Sequence, residues 1–300
     1  MSDTAPRNAT ASATANLSLN LGAHLTISDG LPKAMELARS IGATNFQFFS
    51  RNPRGGQQRA LSDREIADGR AAREACGIRT LIAHMPYTVN LASPKPSAWE
   101  FAKMCLFDDL RWADRVGVDV VVLHPGSHVG EGVTAGIERI VEAARPALEG
   151  YNGRTRLLFE SMSGMGSEVG GRPEEIGTII ERLDRHPALG VCLDSCHQFA
   201  SGFDLRTPAG VDTLVRAWGD AVGLDRIGAM HLNDSKTALE SHKDRHEQIG
   251  KGLLGEAGIR SVVTHPFLST LPLCIETPVD DYTEYAGEIK RVREIAATNL

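Results

Sequence analysis

The sequence predicts an α/β protein folded as a single (β/α)8 TIM-type barrel, with its active site at the C-terminal ends of the strands. Three observations predict it. From Leu19 onward, short apolar runs alternate with longer stretches of helical period, the pattern of a parallel sheet with crossover helices. Eight such runs can be drawn, the number a closed barrel needs. The length of 300 residues also suits one domain, because α/β barrels routinely use this much chain undivided.

Taken in order, residues 1–18 are rich in Ala, Ser, Thr and Asn and have no apolar stretch of the kind a signal peptide carries. They are expected to be a disordered tail, and the barrel domain to span residues 19–300. Strands are predicted over the apolar runs 20–25, 45–49, 79–83, 119–123, 156–159, 190–193, 227–230 and 271–275. Helices are predicted over the periodic stretches 32–40, 63–76, 96–116, 133–148, 173–183, 208–222 and 282–296. Several begin with proline, whose missing N–H costs little in a first helical turn. Residues 232–255 form a long polar connection, and His265-Pro266 ends whatever helix precedes the last strand. Connections of that length in a compact domain tend to be functional.

Composition excludes several classes. No apolar run approaches the roughly 18 residues of a membrane span. Five cysteines, odd in number and without a C-x-x-C pair, fit neither a disulfide framework nor a cysteine-type zinc site, and point to a reducing cytoplasm. The net charge of −6 argues against a protein that coats nucleic acid through overall positive charge. Bound divalent cations would reverse that locally, so a DNA substrate is not excluded.

The chemistry lies at the strand ends. Residues at or just after them are His24, His84, His124, Glu160, Asp194 with His197, His231 and Glu276. Asp244 and His246 lie in the long connection, where i, i+2 spacing in extended chain points both side chains the same way. Singly, a histidine or glutamate at a strand end is well explained as hydrogen-bonded structure. The coincidence along one rim is what carries weight. His24 is read as orienting a ligand or water, and His128, His186, His242 and His265 as structural or surface residues.

Without His24, the set comprises five imidazoles and four carboxylates, a mixture suited to zinc rather than magnesium or calcium, with manganese an alternative. So many donors exceed what one ion needs. Two or three ions are implied, and Glu160 is placed to bridge two of them.

The motifs GAHLTISDGL, HMPYTVNLASP, LHPGSH, FESMSGMGSEVG, VCLDSCHQFASGFDLRTP, MHLNDSK, HKDRHEQIGKG and IETP are together similar to those of the endonuclease IV family of abasic-site repair enzymes. The resemblance covers nearly everything after the tail. It implies three zinc ions: one held by His84, His124 and Glu160, a second by Glu160, Asp194, His231 and Glu276, and a third by His197, Asp244 and His246. It implies Glu160 and Glu276 as catalytic carboxylates, and Arg54 and Tyr87 as side chains inserted into DNA at the lesion. The implied reaction is hydrolysis of the phosphodiester 5′ to an abasic site, leaving a 3′-hydroxyl and a 5′-deoxyribose phosphate, with trimming of blocked 3′ ends by the same chemistry. The implied partner is double-stranded DNA, met by a cytoplasmic monomer.

Two departures stand out. Gly55 and Gly56 occupy positions where many relatives carry larger residues, and SMSGMG follows Glu160 where some have NTAGQG. Gly164, Gly166 and Gly170 do not make a dinucleotide fingerprint and are read as loop. Arg51, Arg206, Lys236, Lys243 and Arg245 are the basic residues near the rim that could meet phosphates. The rival readings are a metal-dependent sugar isomerase or epimerase on the same barrel, which has no use for a third metal site, and a non-catalytic lesion-binding protein.

Overall fold

The computed structural model describes residues 18–53 and 56–298. The predicted tail therefore lies outside the described residues except for Ser18, and so do Arg54 and Gly55.

The first seven strands are β1 (Asn20–His24), β2 (Asn45–Phe49), β3 (Thr80–His84), β4 (Val120–Leu123), β5 (Arg156–Glu160), β6 (Leu189–Asp194) and β7 (Ile227–His231). A short antiparallel pair, β8 (Asp234–Ser235) and β9 (His246–Glu247), follows, and β10 (Pro272–Ile275) completes the set. The eight long strands run parallel and close into a barrel in the order β1-β10-β7-β6-β5-β4-β3-β2. The seam pairs Asn20 with Pro272 through Ala23 with Ile275.

The helices are α1 (Leu31–Ser40), α2 (Asp63–Cys76), α3 (Pro96–Val116), α4 (Val133–Leu148), α5 (Pro173–Arg182), α6 (Ser195–Ser201), α7 (Pro208–Val222), α8 (Gly255–Val263) and α9 (Tyr285–Ala297). Proline stands in the first turn of α1, α3, α5 and α7. At α2, the Ser62 hydroxyl accepts from the Glu65 N–H while the Glu65 carboxylate reaches back to the Ser62 N–H, a reciprocal cap.

Side chains alternate across each strand, and two cores result. Leu81, Ala83, Val121, Leu123, Leu157 and Phe159 face outward under the helices. Ile82, Val120, Val122, Leu158, Cys192, Ala229 and Cys274 fill the barrel interior. That alternation fixes the site. His84, His124, Glu160, Asp194, His231 and Glu276 each follow an interior residue by two positions, so the inward face that is apolar at mid-barrel turns polar at the C-terminal mouth.

On β1 the inward position below His24 is Gly22, and a Cβ there would lie 1.8 Å from the Asn45 carbonyl oxygen. Only glycine lets β1 and β2 approach this closely.

Several predicted boundaries shift. Strands β3, β5, β6 and β7 run one residue further than their apolar runs, taking in His84, Glu160, Asp194 and His231. The ladder continues where hydrophobicity stops. Helix α6 and the β8/β9 pair have no counterpart among the predicted elements, α8 is the helix expected before the last strand and ends at Val263, and the last helix starts as a 3-10 turn, Tyr282–Glu284, before α9.

Candidate metal centre

All nine predicted ligands gather at the barrel mouth. Glu160 stands at their middle with 1% exposure, and its two carboxylate oxygens face different partners. Oε2 lies 2.9 Å from His84 Nε2 and 3.2 Å from His124 Nε2. Oε1 lies 3.0 Å from His231 Nδ1 and 3.3 Å from His197 Nδ1. His231 Nδ1 also faces Glu276 Oε2 at 3.3 Å and Asp194 Oδ2 at 3.8 Å.

A third set surrounds Asp244, with His197 Nε2 at 3.3 Å and His246 Nε2 at 3.2 Å. Asp194 Oδ2 lies 3.7 Å from His246 Nε2, so Asp194 borders this set as well as the Glu160–His231–Glu276 set. The β8/β9 pairing, Ser235 with His246, is what folds the long connection back over the mouth.

Backbone carbonyls face three of the imidazoles, that of Glu276 lying 3.4 Å from His246 Nδ1. His84 Nδ1 meets the Met85 carbonyl at 2.6 Å, and His197 Nδ1 meets that of Ser161 at 2.9 Å. Asp194 accepts the His197 backbone N–H at 2.7 Å, capping α6 and setting that helix over the site. Two amides missed in the sequence complete the frame. Asn233 Nδ2 donates to Asp194 Oδ2 at 2.7 Å, and Asn233 Oδ1 accepts the Glu276 N–H at 2.8 Å. Gln47, on the inward face of β2, touches Glu276, His231 and His24. A polar residue inside the apolar run of β2 was the signal that could have found it.

The donor set fits a cluster of cations. His197 Nε2 and His246 Nε2 are buried without a hydrogen-bond partner, although a carboxylate stands beside both. Buried nitrogens are seldom left so unless something else binds them. Charge tells the same story.

Burial pushes the Glu160 carboxyl up, but the charges of His231 and His124 pull it down harder, leaving it well below the usual range. Burial likewise raises Glu276, but His231, His24 and His84 together pull it well below the usual range. Burial lowers His197, yet Asp194, Asp244 and Glu160 hold it well above the ordinary imidazole value. His231 is also well above it, burial being outweighed by Cys192, Glu276 and Glu160. His84 is the exception: burial prevails and lowers it. Protons on imidazoles here stand where cations would. Cys196 lies close to Asp244 and His246, but burial pushes its thiol up to about 12 and its Sγ meets the Arg245 carbonyl oxygen. It is poorly suited to ligation, which needs a thiolate.

The centre opens into a cavity of about 380 Å3 walled by Phe49, Tyr87, Pro278, Val279, Tyr282 and Tyr285. Tyr87 is 64% exposed at its edge rather than packed. His24 is at the rim, its Nδ1 3.6 Å from Glu276 Oε1. The four histidines read as structural or surface residues have partners of their own outside the donor set, for example His242 Nδ1 with the Ser163 carbonyl at 3.0 Å and His128 Nδ1 with the Gly132 N–H at 3.0 Å.

Three of the five basic residues near the rim stand beside carboxylates. Arg51 is buried, its Nε 2.6 Å from Asp109, and Arg206 is held bidentately by Asp204. Lys236 faces Glu247 at 3.9 Å. Arg54 lies outside the described residues. Gly56 has φ +65°, in the left-handed region that favours glycine, and a Cβ there would come within 2.8 Å of the end of the Phe101 ring.

The fold and this rim of donors define a xylose isomerase-like TIM barrel, and the model of that family matches residues 35–297. The chain is 47% identical over 273 residues to the probable endonuclease 4 of Heliobacterium modesticaldum, covering 91% of this chain and 98% of that relative. It is 36% identical to the endonuclease IV of Thermus thermophilus, known from a crystal structure, covering 92% and 97% of the two chains with a TM-score of 0.80. The chain belongs to the endonuclease IV family and is a hydrolase of the nuclease class. A D-tagatose 3-epimerase-like protein superposes with a TM-score of 0.68 over 92% of this chain and 98% of its own, but at 17% identity it shares the fold alone. The isomerase reading is thereby set aside in favour of the endonuclease.

Proposed function

We propose that this protein is an apurinic/apyrimidinic endonuclease of base excision repair that hydrolyses the DNA phosphodiester 5′ to an abasic site, leaving a 3′-hydroxyl and a 5′-deoxyribose phosphate. Blocked 3′ ends, which are also phosphate esters, are its second substrate. It acts as a cytoplasmic monomer on double-stranded DNA, with three Zn2+ ions that Mn2+ can replace.

The observation that carries the reading is the divided carboxylate of Glu160, one oxygen toward His84 and His124 and the other toward His231. His84, His124 and Glu160 would hold one ion, Glu160, Asp194, His231 and Glu276 a second, and His197, Asp244 and His246 a third. Bound there, the ions supply water activation at neutral pH and shield the phosphate charge.

The chain's own residues do the rest. Glu160 and Glu276 keep negative charge at the centre, since both carboxyls are held below their usual range. Phe49, Pro278 and Val279 line a cavity sized for a small ligand rather than a duplex, so the abasic sugar must leave the helix to reach it. Tyr87, exposed at the mouth, is placed to fill the gap left behind. Arg54 is the second residue assigned to that grip.

Cleavage of a duplex with one abasic site, beside an undamaged duplex and with metal analysis of the same preparation, tests the proposal. Selective incision lost on chelation is the expected result. Glu160→Gln should lose incision by orders of magnitude while still retaining abasic duplex in a binding assay. Normal turnover by that variant would remove Glu160 from its assigned place.

A further inference from the structure

Gln47 is fully buried, on the inward face of β2 between Asn45 and Phe49. A buried primary amide is costly unless its groups are bonded, and all of the partners found here belong to the mouth. Its Nε2 lies 2.5 Å from Glu276 Oε1 and 3.0 Å from His24 Nδ1, and its Oε1 lies 2.8 Å from His231 Nε2. An ionised carboxylate only accepts hydrogen bonds, so the amide nitrogen must face Glu276. The amide oxygen is thereby committed to His231.

That oxygen also only accepts, so His231 must carry a proton on Nε2. Nδ1 is then the nitrogen left for Glu160 Oε1 at 3.0 Å, Glu276 Oε2 at 3.3 Å and Asp194 Oδ2 at 3.8 Å. One side chain selects the ring nitrogen of one ligand and aims the carboxylate of another. We propose that Gln47 is a positioning residue of the metal centre, fixing His231 as an Nδ1 donor and Glu276 in its rotamer; this rests on reading the mouth as a metal site. A leucine would fill the same space and leave both ligands unguided.

The test uses the full chain with Zn2+ as probe, in competition with a chromophoric chelator, and with 15N-labelled histidine to read His231. Gln47→Leu should lose about 10–100-fold in affinity for one ion, and in the Zn2+-loaded chain His231 should lose the signature of an Nε2 proton held in a hydrogen bond. Gln47→Glu, which keeps the acceptor at nearly the same size, should retain that signature. A leucine variant with wild-type affinity and unchanged His231 signals overturns the proposal. So does a glutamate variant whose His231 proton has left Nε2, even if the leucine variant fails to fold. Absence of Zn2+ binding by the wild type would instead overturn the metal reading itself, and the role of Gln47 with it.

Discussion

At the scale of single residues, the centre is a set of acids and bases that hold one another in unusual protonation states. His197 and His231 are kept above the ordinary imidazole value by the carboxylates around them, against the opposing effect of burial. An incoming cation must displace those protons. Zn2+ binding to the metal-free protein should therefore release protons at neutral pH, and apparent affinity should climb with pH until the raised values of His197 and His231 are passed. Calorimetric titrations in two buffers of different ionisation enthalpy check this; heats independent of the buffer would mean that the rings are not protonated. The nine candidate donors are legible in the sequence because histidine, aspartate and glutamate at or near strand ends, and paired at i, i+2 in the long connection, advertise their chemistry. Gln47 and Asn233 are not, since an amide acquires its role only from what it faces.

At the scale of elements, long periodic segments are legible in the sequence and short ones are not. Helices α2 and α4 fall where hydrophobic period places them, and α3 and α7 where period and an N-terminal proline do. Helix α6, at seven residues, is too short to display a period, and its start is set by Asp194, a residue claimed by the site. The two-residue strands β8 and β9 depend on each other across the connection and have no local signature. The elements also differ in what they tolerate. Ser62→Ala removes one end cap of a helix on the outer layer and should lower Tm by a few degrees with incision intact. Gly22→Ala forces a Cβ into the Asn45 carbonyl within the barrel and should leave little folded protein. Circular dichroism on both variants separates the cases; a stable Gly22→Ala would mean that β1 and β2 can move apart.

For the whole molecule, stability and metal content are linked through pH. The raised His197 and His231 contribute stability that is complete below their unfolded value of about 6.5 and fades as pH rises through their higher folded values. The lowered Glu160 and Glu276 contribute stability above about 4.5 that is lost as pH falls through their lower folded values. Chelation should therefore reduce Tm at every pH at which metal binds, and by more at about pH 8.5 than at about pH 6. Thermal melts with and without chelator measure it, and a loss independent of pH would disconnect the histidines from the cations. No helix among the described residues is long and apolar enough to cross a membrane. The net charge of −6 leaves phosphate attraction to this one rim, not to the surface at large.

The seam between β1 and β10 joins the first barrel strand to the last. Glu276 follows the final strand, while Gln47 and His24, which touch or face it, come from the first two. The donor cluster is thus finished only when the two extremes of the polypeptide have found each other. Its capacity to capture an ion certifies completed circular assembly, and a nascent chain whose closing strand is still unsynthesised would have no functioning scissors to turn on DNA.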